Sequence, residues 1–460
     1  MIELYLKDIA KMAEGKLNKE EYGDIKIKGV SIDTRTIVKD NLFVPIIGEK
    51  LDGHKFINQA FIKGACASFI DCKHEIPLED KPYIFVEDTT KAYKKLASNY
   101  RKSLKDIIII GITGSNGKTS IKDILASVLS RKFKVTKTKG NLNNQIGVPK
   151  TLLTLSQDTE FGIIEMGTDG FGQISELTKM AKPHIAILSN IGDSHLEELG
   201  CKENIARAKF EILEGLDKDG LFIYNSDDEI INKIIKEYDI KQELLTYGYN
   251  EDADYRISML NSNVTGSDFI LNNEKYRVNL MGEFQVDNSA PAIIIAKKYG
   301  LNQNEINKGL EVQDRASMRN ELMECNGFDI LNDAYKSNPQ SLKEAFKTIS
   351  LLSGYSRKIA IIGDMLELGD DEEELHRESG REIDPNSVDY LLFLGKLSKF
   401  TLEGALENFP RNRVYHFTSK EDLVDEAKYL IKKGTLVLVK GSRGLRMEEI
   451  VESIKDITAN

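Results

Sequence analysis

The sequence predicts an α/β protein built from several units, and three observations carry that expectation. At 460 residues the chain exceeds what one hydrophobic core usually serves, so about two to four domains are expected. From Asp106 the run Ile107, Ile108, Ile109, Ile110 leads through a glycine-rich turn into Ile121, Ile124, Leu125, Val128 and Leu129 at helical spacing, which reads as strand, loop, helix. After about residue 313 the alternation restarts, with strand-like runs at 358–362, 390–394 and 436–439 separated by helical stretches.

The stretch before these units mixes short apolar segments with turns and ends in Arg101, Lys102, Ser103, Leu104 and Lys105, a polar, basic linker before a new strand signal. Further strand signals at 161–165 and 184–190, each with a helix-like stretch nearby, predict a mostly parallel central sheet with covering helices. The expected division is therefore 1–103, 104–313 and 314–460, the last a second, smaller α/β unit.

Composition narrows the class. Hydrophobic residues make up 41% and charged residues 30% of the chain, and no apolar run approaches the roughly 20 residues that cross a bilayer, so no membrane span is expected. The N-terminus intersperses acids and lysines without a signal-peptide pattern, which predicts a cytoplasmic protein. A net charge of -10 gives no support to a nucleic-acid-binding surface but leaves room for a local basic pocket that holds phosphates. Cys66, Cys72, Cys201 and Cys325 lack CxxC spacing, and only Cys72 has a histidine close by, His74; this argues against a structural zinc and a disulfide framework, and for reduced thiols. The acidic run 370–374 reads as a solvated loop or a helix start, where carboxylates suit the dipole.

The chemistry concentrates in the segment from Gly111 to Ser120, GITGSNGKTS, which follows a buried strand and opens a helix. Gly114 and Gly117 allow close backbone approach, the N–H groups of Asn116 and its neighbours point outward, Lys118 reaches outer phosphates, and Thr119, followed by Ser120, can hold Mg²⁺. The first glycine stands one residue further from Gly117 than the strict P-loop allows. Downstream, Glu165 ends a strand, His195 follows another, and Lys209 shares a helix face with Ile205, Ala208, Ile212, Leu213 and Leu216. Read alone, an inward-facing lysine snorkels or pairs with an acid, and a single Glu165 or His195 is more often structural than functional.

On these and further motifs the chain resembles the Mur ligase family over nearly its whole length. The resemblance rests on SIDTRT and NLFVPIIGEKLDGHKF in the first unit; on GITGSNGKTS, NLNNQIGVP, EMG, SNIGDSHLEELG and ARAKFEI in the second; and on NDAYKSNPQSL, GDMLELG with LHRE, and LVKGSRG in the third. It implies a three-domain architecture with a central P-loop-type parallel sheet and a Rossmann-like C-terminal domain that closes on ATP. It implies a carbamylated Lys209 that joins Glu165, His195 and Thr119 around Mg²⁺, with Asn288 near the adenine and Arg319, Asp333 and Tyr335 closing on the nucleotide. By the same resemblance Ser31, Asp33, Thr34, Arg35, Gly48, Asp52, Gly53, His54 and Phe56 line a UDP-sugar pocket, and Asn143, Asn144 and Gln145 face the reacting carboxylate.

The reaction so implied is amide formation through an acyl phosphate, by a monomer. By the same resemblance SIDTR and DGHKF imply a UDP-sugar, and GDMLELG with LHRE imply D-alanyl-D-alanine, so the expected substrates are UDP-N-acetylmuramoyl-tripeptide and D-alanyl-D-alanine. Two motifs depart from the resemblance: the third-domain motif usually reads DAYNANP, whereas Lys336 and Ser337 stand here, and Phe210 replaces a glycine after Lys209. A Mur-type ligase with another amino substrate, a folylpolyglutamate synthetase-like ligase and a nucleotide-binding protein without ligase activity are the competing readings.

Overall fold

Strands of a parallel sheet that is covered on both faces read as unbroken apolar runs, and the isoleucine run at 107–110 is such a case. In the computed structural model, which describes residues 1–263, 265–312 and 317–459, it becomes strand Ile108–Thr113. Ile109 packs into one core and Ile110 and Ile112 into another on the opposite face, where helices Lys118–Leu129 and Phe284–Lys298 lie.

This strand sits inside a nine-stranded sheet. Its parallel part runs in the order Tyr255–Asn263, Glu243–Gly248, Leu221–Asn225, Ile185–Leu188, Ile108–Thr113, Phe161–Glu165, Val135–Lys137. Strands Gly266–Leu271 and Glu274–Val278 then extend it as antiparallel hairpins at one edge, so the sheet is mostly parallel, as expected. Buried and more exposed residues alternate along these two strands, as a one-sided antiparallel surface demands. Register, more than strand count, positions the functional groups. Glu165 pairs with Ile112 and Leu188 with Thr113, so the glycine loop, Glu165 and the segment after Leu188 all emerge at the same C-terminal edge, where open α/β sheets bind ligands.

The first unit, anticipated only as apolar stretches and turns, is a five-stranded sheet in the order Lys16–Leu17, Tyr83–Val86, Ala65–Asp71, Asn41–Phe43, Val30–Ser31, parallel except for its first pair. Several of these strands have only two or three residues, too short for an alternation to be read. Ile2, Leu6 and Ile9 share one apolar core with Val148, Leu152, Ile174 and Leu177 of the central unit.

The third unit is a six-stranded sheet in the order Glu321–Glu324, Asp329–Asp333, Thr435–Lys440, Arg357–Gly363, Tyr390–Leu394, Val414–Phe417, with only the first pair antiparallel. Asn338 caps helix Pro339–Leu351 through a reciprocal box with Ser341, which fixes the residues just before that helix. The acidic run 370–374 spans a 3-10 turn and the start of helix Glu372–Arg381.

Helix Thr89–Ser103 joins the first unit to the second. Asp88 caps it by accepting from the Lys91 N–H at 2.7 Å, and at its other end the buried Arg101 donates to the carbonyls of Ala181 (3.0 Å), Leu104 (3.1 Å) and Lys182 (3.3 Å). Replacing Arg101 by Ala removes three charge-assisted bonds and leaves buried carbonyls unmet, so it should lower stability by about 2–4 kcal/mol. The midpoint of chemical unfolding measures this, and an unchanged midpoint would show that the guanidinium does not hold the two units together.

Candidate active site

A cavity of about 490 Å³ lies at the C-terminal edge of the central sheet, closed on its far side by the third unit. Its floor is the glycine loop. Gly114 adopts φ +146° with no room for a side chain, since a Cβ would stand 1.9 Å from Ser189 Oγ; Gly117 adopts φ +83°, and a Cβ there would stand 2.3 Å from Asn288 Oδ1. The loop is strapped to the next strand's end: Ser115 N–H donates to the Asn190 carbonyl (2.9 Å), Asn116 N–H to Asn190 Oδ1 (3.0 Å), and Ser189 Oγ to the Asn116 carbonyl (2.6 Å).

Lys118 opens the helix and folds back over the loop, donating to the carbonyls of Gly114 (2.6 Å) and Ser115 (3.1 Å). Burial pushes its pKa down to about 8, the charges of Lys336 and Arg319 pushing the same way and Glu165 opposing them. One residue on, Thr119 Oγ1 donates to Glu165, 3.1 Å from Oε2. Glu165 is only 1% exposed. It also accepts from Asn143 Nδ2 at 2.9 Å and lies 3.3 Å from Lys122 Nζ, while its backbone N–H donates to Thr138 Oγ1.

His195 sits in the left-handed region, φ 65°, at the start of helix Leu196–Leu199. Its Nδ1 is 3.1 Å from Glu367 Oε2 and its Nε2 is 3.2 Å from Lys336 Nζ. Because the ammonium can only donate, Nε2 is the accepting nitrogen and Nδ1 carries the proton. The His195 imidazole beside it, with the nearby Lys336 charge, holds the Glu367 carboxyl down to about 2. Lys209, on helix Lys202–Phe210, is buried and does not line the cavity. Desolvation drives its pKa well below the usual lysine value, and the charges of Lys118 and Lys336 add to this.

The third unit reaches the cavity through polar contacts. Asn338 Nδ2 donates to Asn116 Oδ1 and to Ser194 Oγ, both at 3.0 Å, and Asn116 Nδ2 donates to Gln340 Oε1 at 3.0 Å. Asp333 is held by Lys440, Nζ to Oδ2 2.6 Å, and the Arg319 guanidinium stacks 4.1 Å from the Tyr335 ring centroid.

The structure thus gathers Asn116 to Ser120, Glu165, His195, Asn288, Arg319, Asp333, Tyr335, Asn143, Asn144 and Gln145 around one cavity. Gly114 and Lys209 lie just outside its lining. Asn144 uses its side chain to cap the following turn, accepting from the N–H groups of Ile146 and Gly147. Among the described residues, none of the first-unit candidates lines this cavity. Ser31, Asp33, Thr34 and Arg35 form a local turn in which Arg35 pairs with Asp33 at 2.7 Å and Thr34 bonds to Gln59. Gly48 closes a tight loop onto Leu51, Gly53 opens the next turn, Asp52 and His54 bond to one another, and Phe56 packs in the small core around Tyr83.

Lys122, Glu367, Asn338 and Gln340 belong to this site and were not singled out from the sequence. The signal for Lys122 was available, a second lysine one helical turn after Lys118 on a face otherwise filled by isoleucine and leucine. Glu367 stood inside GDMLELG, but only the fold shows that it meets His195.

Known proteins share these features. Residues 112–296 match the Mur ligase middle domain, residues 318–443 the Mur ligase, glutamate ligase domain, and residues 26–101 the Mur ligase family, catalytic domain. The UDP-N-acetylmuramoyl-tripeptide–D-alanyl-D-alanine ligase of Bacillus subtilis is 39% identical over 457 residues, covering 99% of both chains. A crystal structure of MurF from Acinetobacter baumannii superposes with a TM-score of 0.89 at 26% identity over 99% of both chains. That of MurF ligase from Thermotoga maritima in complex with ADP superposes with a TM-score of 0.79 at 24% identity over 93% of this chain and 97% of that one. With the phosphate-type loop, the buried carboxylate and the third-unit contacts all inside the matched segments, the chain belongs to the Mur ligase family.

Proposed function

We propose that the chain is an ATP-dependent ligase that joins D-alanyl-D-alanine to UDP-N-acetylmuramoyl-tripeptide, giving UDP-N-acetylmuramoyl-pentapeptide. The observation that carries this reading is the meeting of the glycine loop, Glu165, His195 and the third-unit residues Arg319, Asp333 and Tyr335 across one cavity. The named relative that is 39% identical from end to end supports the choice of substrates. In the proposed division residues 1–103 bind the sugar nucleotide, 104–313 bind ATP, and 314–460 bind the amine and close on ATP. The end of helix Thr89–Ser103 and the start of strand Glu321–Glu324 support it, although the boundary at 313/314 itself lies outside the described residues. Among the described residues no helix is long and apolar enough to cross a membrane, and the proposed setting is a cytoplasmic monomer.

The donor set suits Mg²⁺. Thr119 already lies on the Glu165 carboxylate, whose remaining partners are an amide and an ammonium that can be displaced or shared, and hydroxyl and carboxylate oxygens are the ligands a hard cation takes. Bound Mg²⁺ supplies charge neutralisation on the phosphate oxygens. For its part the chain holds Lys118 where a short swing from the Gly114 and Ser115 carbonyls carries its ammonium to the transferring phosphoryl group. Asn143 and Lys122 fix the orientation of Glu165, and Asn143 to Gln145 face the cavity where the peptide carboxylate attacks. That carboxylate displaces ADP to give an acyl phosphate, and the amine then displaces phosphate to give the amide. Positioning and electrostatics do this work without a side-chain nucleophile. In this reading Lys209 is carbamylated: burial, with the charges of Lys118 and Lys336, lowers its pKa and so favours the neutral amine, the form that adds CO₂ and releases a proton.

A substrate panel tests the assignment, with ADP formation as the readout. Turnover should require both UDP-N-acetylmuramoyl-tripeptide and D-alanyl-D-alanine. Faster product formation with a single amino acid than with the dipeptide would overturn the proposed amine while leaving the family intact.

At the nucleoside end of the cavity Asp287 neighbours Asn288, and its Oδ1 is buried without a hydrogen-bond partner among the described residues. Burial, with repulsion from Asp227 and Glu344, pushes its pKa up to about 7 from 3.8. A raised carboxyl binds its proton more tightly folded than unfolded, so its penalty on stability grows as pH rises from the unfolded value and is complete above about pH 7. Asp287→Asn should therefore raise the melting temperature more at about pH 8 than at about pH 5. An equal shift at both would show that Asp287 is not a strained acid.

Lys209→Ala should lower turnover on the order of 10²-fold or more, and acetate or formate should restore part of it by standing in for the carbamate. Full activity of this variant in bicarbonate-free buffer would remove Lys209 from the mechanism.

A further inference from the structure

Two of the first-unit candidates, Asp52 and His54, turn toward two residues that no motif contains, Asp71 and His74. Asp52 caps the 3-10 turn Gly53–Phe56: its Oδ1 accepts from the His54 backbone N–H at 2.9 Å and lies 2.8 Å from His54 Nδ1. The turn needs glycine at its start, because a Cβ on Gly53 would stand 2.7 Å from the backbone N and O of Ile46. Asp71 ends strand Ala65–Asp71, and its Oδ1 accepts from the Lys73 N–H (2.9 Å) and lies 2.7 Å from His74 Nδ1. His74 Nε2 lies 2.9 Å from Asp52 Oδ2, and the two imidazoles stack with centroids 3.7 Å apart and planes within 3°.

One atom in this group is unmet. With the Nδ1 proton of His54 directed at Asp52, Nε2 carries a lone pair, and it is buried with no hydrogen-bond partner among the described residues. It faces Asp71 Oδ2 at 3.9 Å, and both side chains are 4% exposed. That separation is too long for a hydrogen bond, yet two ligands on one ion, each about 2.0–2.2 Å from it, span such a distance. His74 Nδ1, 2.7 Å from Asp71 Oδ1, shares that edge of the ring stack with His54 Nε2, while Asp52 meets the opposite edge at His54 Nδ1 and His74 Nε2 and orients both rings. The carboxylates of Asp52 and Asp71 balance a charge of two, and imidazole nitrogen mixed with carboxylate oxygen suits a first-row transition ion better than Mg²⁺ or Ca²⁺. His74, 29% exposed, leaves an entry path.

We propose that His54 Nε2, His74 Nδ1 and Asp71 bind one divalent transition ion of the zinc type, with Asp52 holding both rings from their opposite edge, and that the ion ties the Gly53–Phe56 turn to the end of strand Ala65–Asp71. The ion takes the place of the Nδ1 proton that His74 directs at Asp71, and the four cysteines take no part.

Full-length protein, stripped with a chelator and titrated with Co²⁺, should develop visible d–d absorption that saturates at one ion per chain and is displaced by Zn²⁺. His74→Gln, at the open side where folding is least at risk, should weaken Co²⁺ binding about tenfold or more. Glu165→Gln, which alters the other carboxylate group, should leave the absorption in place. Zinc-edge anomalous diffraction from wild-type crystals locates the ion without any variant, and the expected peak lies between His54 Nε2 and Asp71 Oδ2. Equal Co²⁺ binding by wild type and His74→Gln, loss in Glu165→Gln alone, no Co²⁺ binding at all, or a zinc peak only elsewhere would each overturn the proposal.

Discussion

A buried carboxylate has to be met by donors, and Glu165, 1% exposed at the end of its strand, sets the arrangement of everything around it. Thr119 and Lys122 reach it from one helix, Asn143 from the asparagine-rich loop, and Thr138 receives its backbone N–H from the neighbouring strand's end. These are the same elements that line the cavity, so satisfying one acid also fixes the glycine loop against the loop at 143–145. The register that pairs Glu165 with Ile112 makes this possible. A slip of one residue would turn the acid to the opposite face of the sheet and leave the buried Lys122 with only Asp123, 3.8 Å away, as a counter-charge.

Charge balance at the site depends on that arrangement. Lys118, Lys209, Lys336 and Arg319 converge, and each of the two deeply placed lysines, Lys118 and Lys209, has its pKa depressed by burial and by its cationic neighbours. Glu165, Asp169, Asp287, Asp333 and Glu344 line the same cavity as Lys118, Arg319, Lys336 and Lys440, so among the described residues the lining carries no excess of positive charge. What suits a polyanion is the placement of Lys118 on the glycine loop at a helix N-terminus. Lys336, which stands where the family motif usually has asparagine, adds a cation in contact with His195 and Glu367.

What could be read from the sequence depended on burial on both faces. Strands Phe161–Glu165 and Tyr390–Leu394 show as apolar runs because both faces pack, and the helix that comes after the glycine loop shows because its inner positions recur every three or four residues. The first unit was not legible as a sheet, since its strands at 16–17, 30–31 and 41–43 are held by neighbours distant in sequence rather than by a pattern of their own. Motifs supplied most of the cavity, but they do not contain Lys122, whose partner lies 43 positions away in sequence, on another strand. Nor do they show that Asp52 and His54 face Asp71 and His74, because only the parallel pairing of strands 41–43 and 65–71 brings those turns together. Cysteine spacing argued against a structural zinc, and it carried no information about a site made from histidine and aspartate.

The two joints between units differ in kind, and the difference bears on how the site works. The first unit and the central unit share one continuous apolar core, in which Leu6 and Ile9 belong with Leu152 and Leu177, and opening it would expose all of that surface to water. The third unit meets the cavity through Asn338 on Asn116 and Ser194, Gln340 on Asn116, and Glu367 and Lys336 on His195, with Met281 as an apolar contact. Hydrogen bonds of this sort exchange for bonds to water at a net cost of only about 0.5–1.5 kcal/mol each. The joint that opens cheaply is therefore the one that lies across the cavity, while the joint far from it is fixed. The contacts between Asn116 in the phosphate-type loop and Asn338 before helix Pro339–Leu351 make the position of one sensitive to the placement of the other.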